Sequence, residues 1–489
     1  MTRALCFIRQ SLCCRIRDVR LSAQRGLHGN SRNSRYRSTK KTAAICGGVI
    51  GLGVGGYIAW TSDQGAFRNV FAQSPNTVQS LSASSCTEAS KRQTQLDNAI
   101  NYARELLMRK KDECGVPGIA VAVSVDGETV WAEGLGYADV ENRVPCTRRT
   151  VMRIGSISKP IAMTTVAKLW EEGRIDLDKP IQEYVPSFPQ KTFNGKPVVI
   201  TLRDLVSHVS GIHHYANSSK NNQSAKNGGS VNTEFPEFYS TRKFKTTEEA
   251  LEIFKDDPLL DPPGTAYHYT TYGWTLISAA VEGASKEAFT SHLKRLLKTL
   301  GMNSTFLDQN EPIIYNRSRF YTRDTKSGVL SNTQQVDSSY KWAGGGLIST
   351  VDDLVRFGNA MLYCAQADDA AGHRPGYLRP ETVRQLWTPH AKVHNHWDRS
   401  AFLSYGMGWN LTESGEKPGG CGEWPPFAAF HTGGSMGGTS ALALLPSAWN
   451  PEETSSSPLR EPTPLHLGAS SWPWLGTSPT PATETLLSG

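Results

Sequence analysis

The 489-residue sequence has no Cys-x-x-Cys pair, although it contains nine cysteines. An odd number of scattered cysteines does not suggest a disulfide framework, and without paired spacing it does not suggest a zinc site. His208, His213 and His214 lie close together along the chain, but no acid or thiol accompanies them at metal-ligand spacing. We therefore expect neither a metal site nor a cofactor.

Beyond its N-terminus the chain has no excess of positive charge. Residues 1–41 contain eleven Arg or Lys and one acid, Asp18, so they contribute +10 to the net charge of +7 and leave −3 for the remainder. This distribution argues against nucleic-acid binding by the folded part of the chain. An Arg-rich, Ser-containing and acid-poor start is typical of a mitochondrial presequence, which we predict for residues 1–41.

One uncharged run, residues 42–60, is long enough at 19 residues to cross a bilayer as a helix. Its glycines at positions 47, 51 and 55 have a spacing found in helix association. Its six glycines also weaken helix propensity, so a membrane anchor and a sorting signal that is removed both remain open. A segment of either kind behind a presequence predicts that the protein resides in the intermembrane space. If the segment is retained, we also expect association with the inner membrane.

The remaining length allows one large domain, predicted for residues 96–446, after a polar linker over residues 61–95. We expect a first helix at Leu96–Met108. A hairpin follows, because Asp126-Gly127 between two apolar runs, Ile119–Val125 and Thr129–Gly134, is a strong turn signal.

Residues 213–244 form a predicted inserted loop, rich in Asn, Ser, Lys and Gly and with too few apolar residues for a core of its own. Long loops in compact domains are usually functional or disordered. We expect this one to limit substrate size or to mediate self-assembly, and disorder is the alternative.

The tetrad Ser156-Ile-Ser-Lys159 stands just ahead of a run, Pro160–Trp170, whose apolar residues recur at helical spacing. Residues three apart on a helix share a face, so the Lys159 amine would lie beside the Ser156 hydroxyl. A nearby, partly desolvated amine can accept the hydroxyl proton, which turns a weak nucleophile into a reactive one.

Two later segments carry further chemistry. Tyr269 follows a Pro263-Gly264 turn and precedes an apolar helical run at residues 274–282, and a tyrosine there can act as a base if a cation lowers its pKa. His431-Thr432-Gly433-Gly434 leads into an alternating strand that ends at Ser440–Leu445. Glycines at a strand start let a substrate approach backbone N–H groups of the oxyanion-hole type.

In this order and at these separations the three motifs resemble the S-x-x-K, Y-x-N and K-T-G elements of the serine β-lactamase and penicillin-binding-protein superfamily. The resemblance runs from about Leu96 to Pro446 and is greatest to the class C-like variants and to a mitochondrial branch in animals. It implies an α+β fold, with an antiparallel sheet flanked by helices and an all-helical lobe.

The resemblance also implies roles. Ser156 would form the acyl-enzyme, Lys159 would activate it, and Tyr269 would pass the proton to the leaving group. The backbone N–H groups of Ser156 and Gly434 would hold the oxyanion, with Thr432 and Gly433 lining the substrate strand.

Two departures from the family pattern stand out. Thr271 replaces the Asn of Y-x-N, and His431 replaces the Lys of K-T-G, so the charge near a substrate carboxylate is only partial at neutral pH. We therefore expect inefficient β-lactam hydrolysis but intact acyl transfer.

By resemblance, the substrate would be a peptide or protein, and the enzyme a serine protease that influences mitochondrial lipid metabolism and assembles into homo-oligomers or filaments. A lactamase-like carboxylesterase and a filament-forming scaffold with little activity are the alternatives.

Residues 447–489 contain seven prolines and many Ser and Thr, with no regular period, and we predict a disordered tail. In the family a last strand and a closing helix occupy this place, and that strand lies between the third-motif strand and the N-terminal hairpin. We therefore expect both to be missing, two sheet edges to be open, and the chain to fold poorly.

Overall fold

The computed structural model describes residues 83–215, 239–324, 327–367, 373–392, 403–412 and 427–446. The predicted presequence, the uncharged segment at 42–60, the tail at 447–489 and most of the inserted loop lie outside the described residues. Among the helices that are described, none is long and apolar enough to cross a membrane.

Most predicted helices form, with shifted ends. The first one begins at Ala83 rather than Leu96, so the end of the predicted linker is helical. The second motif is followed by a helix whose apolar residues are buried on all faces, in keeping with its uninterrupted apolar run. The described helices are α1 Ala83–Cys114, α2 Ser158–Glu171, α3 Leu202–Val206, α4 Thr247–Leu251, α5 Tyr272–Ser285, α6 Phe289–Thr299, α7 Trp342–Gly345, α8 Val351–Gln366 and α9 Pro380–Leu386.

All the ladders between the described strands are antiparallel, which together with the helices confirms the predicted α+β class. The described strands are β1 Gly118–Val125, β2 Glu128–Asp139, β3 Val144–Pro145, β4 Met152–Arg153, β5 Thr192–Phe193, β6 Lys196–Pro197, β7 Phe306–Leu307, β8 Tyr321–Arg323, β9 Leu330–Asn332, β10 Leu347–Ser349, β11 Ala391–Lys392, β12 Leu403–Tyr405, β13 Asn410–Thr412, β14 Ala428–Ser435 and β15 Gly438–Leu444.

The N-terminal hairpin turns where the sequence predicts. Asp126 and Gly127 have φ of 51° and 83°, and two positive φ values are the mark of a type I′ turn. The hairpin packs against α1 through a small core that includes Leu107, Val121 and Trp131. A much larger core joins the helices of the central lobe to β10 and β14.

The five strands β11–β12–β13–β14–β15 form one sheet, and β1–β2–β3 form another. Within the described residues, β15 pairs only with β14 and β1 pairs only with β2. Helix α8 packs against both β15 and β1. A Cβ at Gly358 would meet Leu444 of β15, and Asn359 forms a hydrogen bond with Ser124 of β1.

Candidate active site

Ser156 lies in a 3-10 turn, Gly155–Ile157, between β4 and α2. Gly155 has a φ of 50°, and a Cβ there would stand 2.7 Å from the Gly434 amide nitrogen, so only glycine fits. Helix α2 begins at Ser158, two residues earlier than predicted, because proline is tolerated in a first turn. The turn delivers the Ser156 side chain, 8% exposed, to the edge of the interior.

Lys159 is fully buried and its amine lies among three oxygens. Nζ is 3.1 Å from Ser156 Oγ, 3.4 Å from Thr271 Oγ1 and 2.5 Å from the Gly344 carbonyl oxygen. These three oxygens fix the direction of the amine. The first two motifs therefore meet at one nitrogen atom.

Tyr269 stands over the same amine, with Lys159 Nζ 4.7 Å from the centroid of its ring. Its ring also neighbours three imidazoles: His208 at 4.4 Å, His214 at 5.6 Å and His431 at 6.3 Å between centroids. The predicted nucleophile, amine, phenol and imidazole thus lie in a single cluster.

The third motif lies on β14, against the turn that carries Ser156. A Cβ at Gly433 would be 1.9 Å from the Ile154 carbonyl oxygen, so close backbone approach requires glycine at this position. Thr432 and Gly434 alternate with buried neighbours and are partly exposed on one face of the strand. The Gly434 N–H and the Ser156 turn are therefore neighbours, as the oxyanion prediction needs.

His431 is a buried member of this cluster. It is 1% exposed, its Nδ1 is 2.7 Å from the Thr432 carbonyl oxygen, and its Nε2 is 3.1 Å from the Tyr405 hydroxyl. A strand side chain next to partly exposed Thr432 points to the opposite face, which is why the ring is buried. A role for His431 near a substrate carboxylate stays a prediction.

Burial sets the protonation of the residues behind the cluster. The pKa of His208 is held well below its ordinary value, first by burial and then by the neighbouring Lys159, His431 and His214. The pKa of Tyr405 is raised well above its usual value by burial, with Tyr269 and Tyr267 adding to the effect. At neutral pH, His208 is an uncharged imidazole and Tyr405 an uncharged phenol.

Three contributors escaped the sequence analysis. The Gly344 carbonyl has no side-chain signature. His208 was considered only as a metal ligand, and no motif or spacing gave a role to Tyr405. In the described part of the chain, no group of three or more His, Cys, Asp or Glu residues could hold a metal ion.

Comparison with known proteins agrees with this geometry. A family model described as Beta-lactamase matches residues 103–450. The mouse protein named "Serine beta-lactamase-like protein LACTB, mitochondrial" is 42% identical over 410 residues, which are 72% of this chain and 74% of the mouse protein. The human protein of the same name is 42% identical over 404 residues, covering 72% and 73% of the two chains.

Among solved structures, the octameric penicillin-binding protein homologue from Pyrococcus abyssi superposes with a TM-score of 0.54 at 24% identity, over 73% of this chain and 75% of that chain. This likeness shows the fold alone. The family model, in contrast, spans most of the chain and all three motifs. The chain therefore belongs to the Beta-lactamase family.

Proposed function

We propose that this protein is a mitochondrial serine hydrolase that cleaves peptide bonds through an acyl-enzyme on Ser156. The observation that carries the proposal is the 3.1 Å contact between Lys159 Nζ and Ser156 Oγ at a buried position. An amine held this close to a hydroxyl, away from water, can take up its proton as the nucleophile attacks.

In the proposed reaction, Ser156 Oγ attacks the substrate carbonyl carbon and its proton passes to Lys159, which relays it to Tyr269. The backbone N–H groups of Ser156 and Gly434 hold the oxyanion. Tyr269 then donates a proton to the leaving nitrogen, the C–N bond breaks, and the acyl group stays on Ser156. Water attacks this ester, and the proton path runs in reverse to release the acid and restore the serine.

The substitutions at the other two motifs support a substrate other than a β-lactam. Thr271 reaches Lys159 through its hydroxyl, where an amide would also reach the substrate. His431 is buried against Tyr405 and stands where the family has a lysine, so no lysine ammonium is available to a substrate carboxylate. The site therefore favours substrates without a carboxylate at that position, such as internal peptide bonds.

The same observation favours a second candidate, a carboxylesterase, because a neutral acyl ester also needs no cation there. Ester hydrolysis would use the same acyl-enzyme and differ only in its leaving group.

The proposed location rests on the composition of residues 1–41 and on relatives whose names include "mitochondrial". The uncharged segment at 42–60 supports the intermembrane space. An influence on mitochondrial lipid metabolism and assembly into filaments are proposed from the resemblance to the family's mitochondrial branch.

Turnover of two substrates with the same acyl group, one a peptide amide and one an ester, tests the proposal. We expect the purified protein to cleave the amide, and the Ser156→Ala variant to cleave neither. Cleavage of the ester alone would make the protein an esterase. If folded wild-type protein cleaved neither substrate, the proposal would be overturned and the scaffold function would remain.

A further inference from the structure

His208 occupies an unusual backbone position at the end of α3. Its φ is 60°, in the left-handed region that residues other than glycine rarely adopt, and its side chain is 0% exposed. The helix before it begins with a capping box between Thr201 and Asp204, which fixes where the helix starts and therefore where His208 falls.

This residue accepts hydrogen bonds from both sides of Tyr269. The His268 N–H donates to the His208 carbonyl oxygen at 2.7 Å, and the Thr270 N–H donates to His208 Nδ1 at 3.1 Å. Two donors one residue either side of Tyr269 are thus held by one acceptor residue. We call these two hydrogen bonds to His208 the clamp. The clamp fixes the backbone on both sides of Tyr269.

The direction of the second bond also fixes the proton on the imidazole. Because Nδ1 accepts, the proton of the neutral ring is on Nε2. That nitrogen has no hydrogen-bond partner within the part of the chain that the structure describes. The burial that lowers the pKa of His208 keeps Nδ1 available as an acceptor at neutral pH.

The His208 ring contacts both Tyr269 of the second motif and Tyr405, which bonds to His431 of the third motif. Its centroid is 4.4 Å from the Tyr269 ring and 4.7 Å from the Tyr405 ring. Tyr405 in turn bonds to His431 at 3.1 Å. His208 therefore packs against the phenol rings of both Tyr269 and Tyr405.

We propose that His208 is a positioning residue that holds Tyr269 in place for proton transfer to the leaving group. The inference rests on the proposed function, because it takes the proton-donating role of Tyr269 as given. A displacement of about 1 Å in a reacting group can cost on the order of 100-fold in rate. Loss of the clamp should therefore slow the steps in which Tyr269 moves a proton, and leave other steps unchanged.

Two substitutions distinguish the effect of losing the side-chain hydrogen bond from the effect of the left-handed backbone conformation. His208→Gly suits the left-handed φ but removes the side-chain acceptor. His208→Asn also tolerates this φ and keeps an oxygen close to the place of Nδ1. His292→Asn, at another buried histidine, on α6, serves as the matched control for the loss of an imidazole.

The readout is acylation of Ser156 by two butyrate esters in single-turnover experiments. 4-Nitrophenolate leaves without a proton, whereas ethoxide needs one. For His208→Gly we expect a loss of about 100-fold with the ethyl ester and of less than about fivefold with the 4-nitrophenyl ester. For His208→Asn we expect rates within about fivefold of wild type with both esters, and the same for His292→Asn.

Equal losses with both esters, or no loss in folded His208→Gly, would overturn the inference. If His208→Gly does not fold, His208→Asn still decides: a folded Asn variant that loses about 100-fold with the ethyl ester would also overturn it. Fluorophosphonate labelling of the same wild-type preparation reports the proposed function separately. Unlabelled, folded wild-type protein would overturn that function and this inference with it.

Discussion

Lys159 and Lys341 are two of the buried lysines among the described residues, and their surroundings differ. The Lys159 amine faces three oxygens and belongs to the site. Lys341 is 5% exposed and near Arg153, and burial, with that like charge second, lowers its pKa to about 8. Carboxylates at Asp308 and Asp337 oppose this shift without cancelling it.

Lys341 should therefore cost stability at neutral pH. Its pKa is 10.5 in an unfolded chain and about 8 here, so between these pH values the unfolded state binds more protons. Stability then rises with pH across this window, and the full cost is present below pH 8. We expect Lys341→Met to have the higher free energy of unfolding at pH 7, with its advantage shrinking by on the order of 3 kcal/mol by pH 10.5.

Urea denaturation of both proteins at pH 7 and pH 10.5 measures this difference. Lys294→Met, at an exposed position on α6, is the control and should show no such pH dependence. If the advantage of the Lys341→Met variant were equal at both pH values, the lysine charge would not be its cause.

Residues of the site could be predicted where a side chain carries the chemistry. Ser156, Lys159 and Tyr269 stand at recognisable spacings, and the structure brings them together. Gly344 acts through a carbonyl oxygen that every residue has, and so no sequence signal marks it. The burial of His431 depends on which face of β14 looks outward, which is set by the packing of the whole sheet.

At the scale of elements, local sequence signals predict whether a segment is a helix or a strand, but not the residues at which it begins and ends. The apolar period predicts Pro160–Trp170 and the structure has Ser158–Glu171, since the first turn of a helix needs no apolar residue. The first helix runs from Ala83, far ahead of Leu96, although its N-terminal part is polar. The small sheet β4–β10–β7 depends on pairing between distant segments, such as Arg153 with Ile348, which local periodicity does not contain.

Asn359 of α8 is one of the residues that join the N-terminal hairpin to the rest of the molecule. The Ser124 hydroxyl donates to its side-chain oxygen at 2.6 Å, and its amide nitrogen donates to the Gly127 carbonyl oxygen at 2.9 Å. With no strand pairing to β1 other than β2 in the described residues, these bonds matter more than usual. Asn359→Ala should lower the free energy of unfolding by about 1–3 kcal/mol, because two partly buried groups lose their partner.

Asn332→Ala provides the comparison, since Asn332 makes an exposed side-chain bond to Glu141. We expect it to change the free energy of unfolding by less than about 0.5 kcal/mol. If the Asn359 variant changed stability no more than this control, the hairpin would have to be anchored mainly by its apolar contacts with α1.

At the scale of the whole molecule, the site exists only in the folded domain. Ser156 comes from a turn before α2, Tyr269 from the loop before α5, and Gly434 from β14. The Lys159 amine joins the turn before α2 to the loop before α5, and the close approach of Gly155 to Gly434 joins that turn to β14. A test of the chemistry is for this reason also a test of the fold around it.

The most direct measurement is covalent labelling of the purified chain by a fluorophosphonate probe, with the modified residue located by mass spectrometry. The account predicts one adduct, on Ser156, that is absent in Ser156→Ala and forms about 10²–10⁴-fold more slowly in Lys159→Ala. Lys168→Ala, which removes a partly exposed lysine from the same helix, should label at the wild-type rate. An adduct on another residue, or a Lys159→Ala rate equal to wild type, would contradict the account.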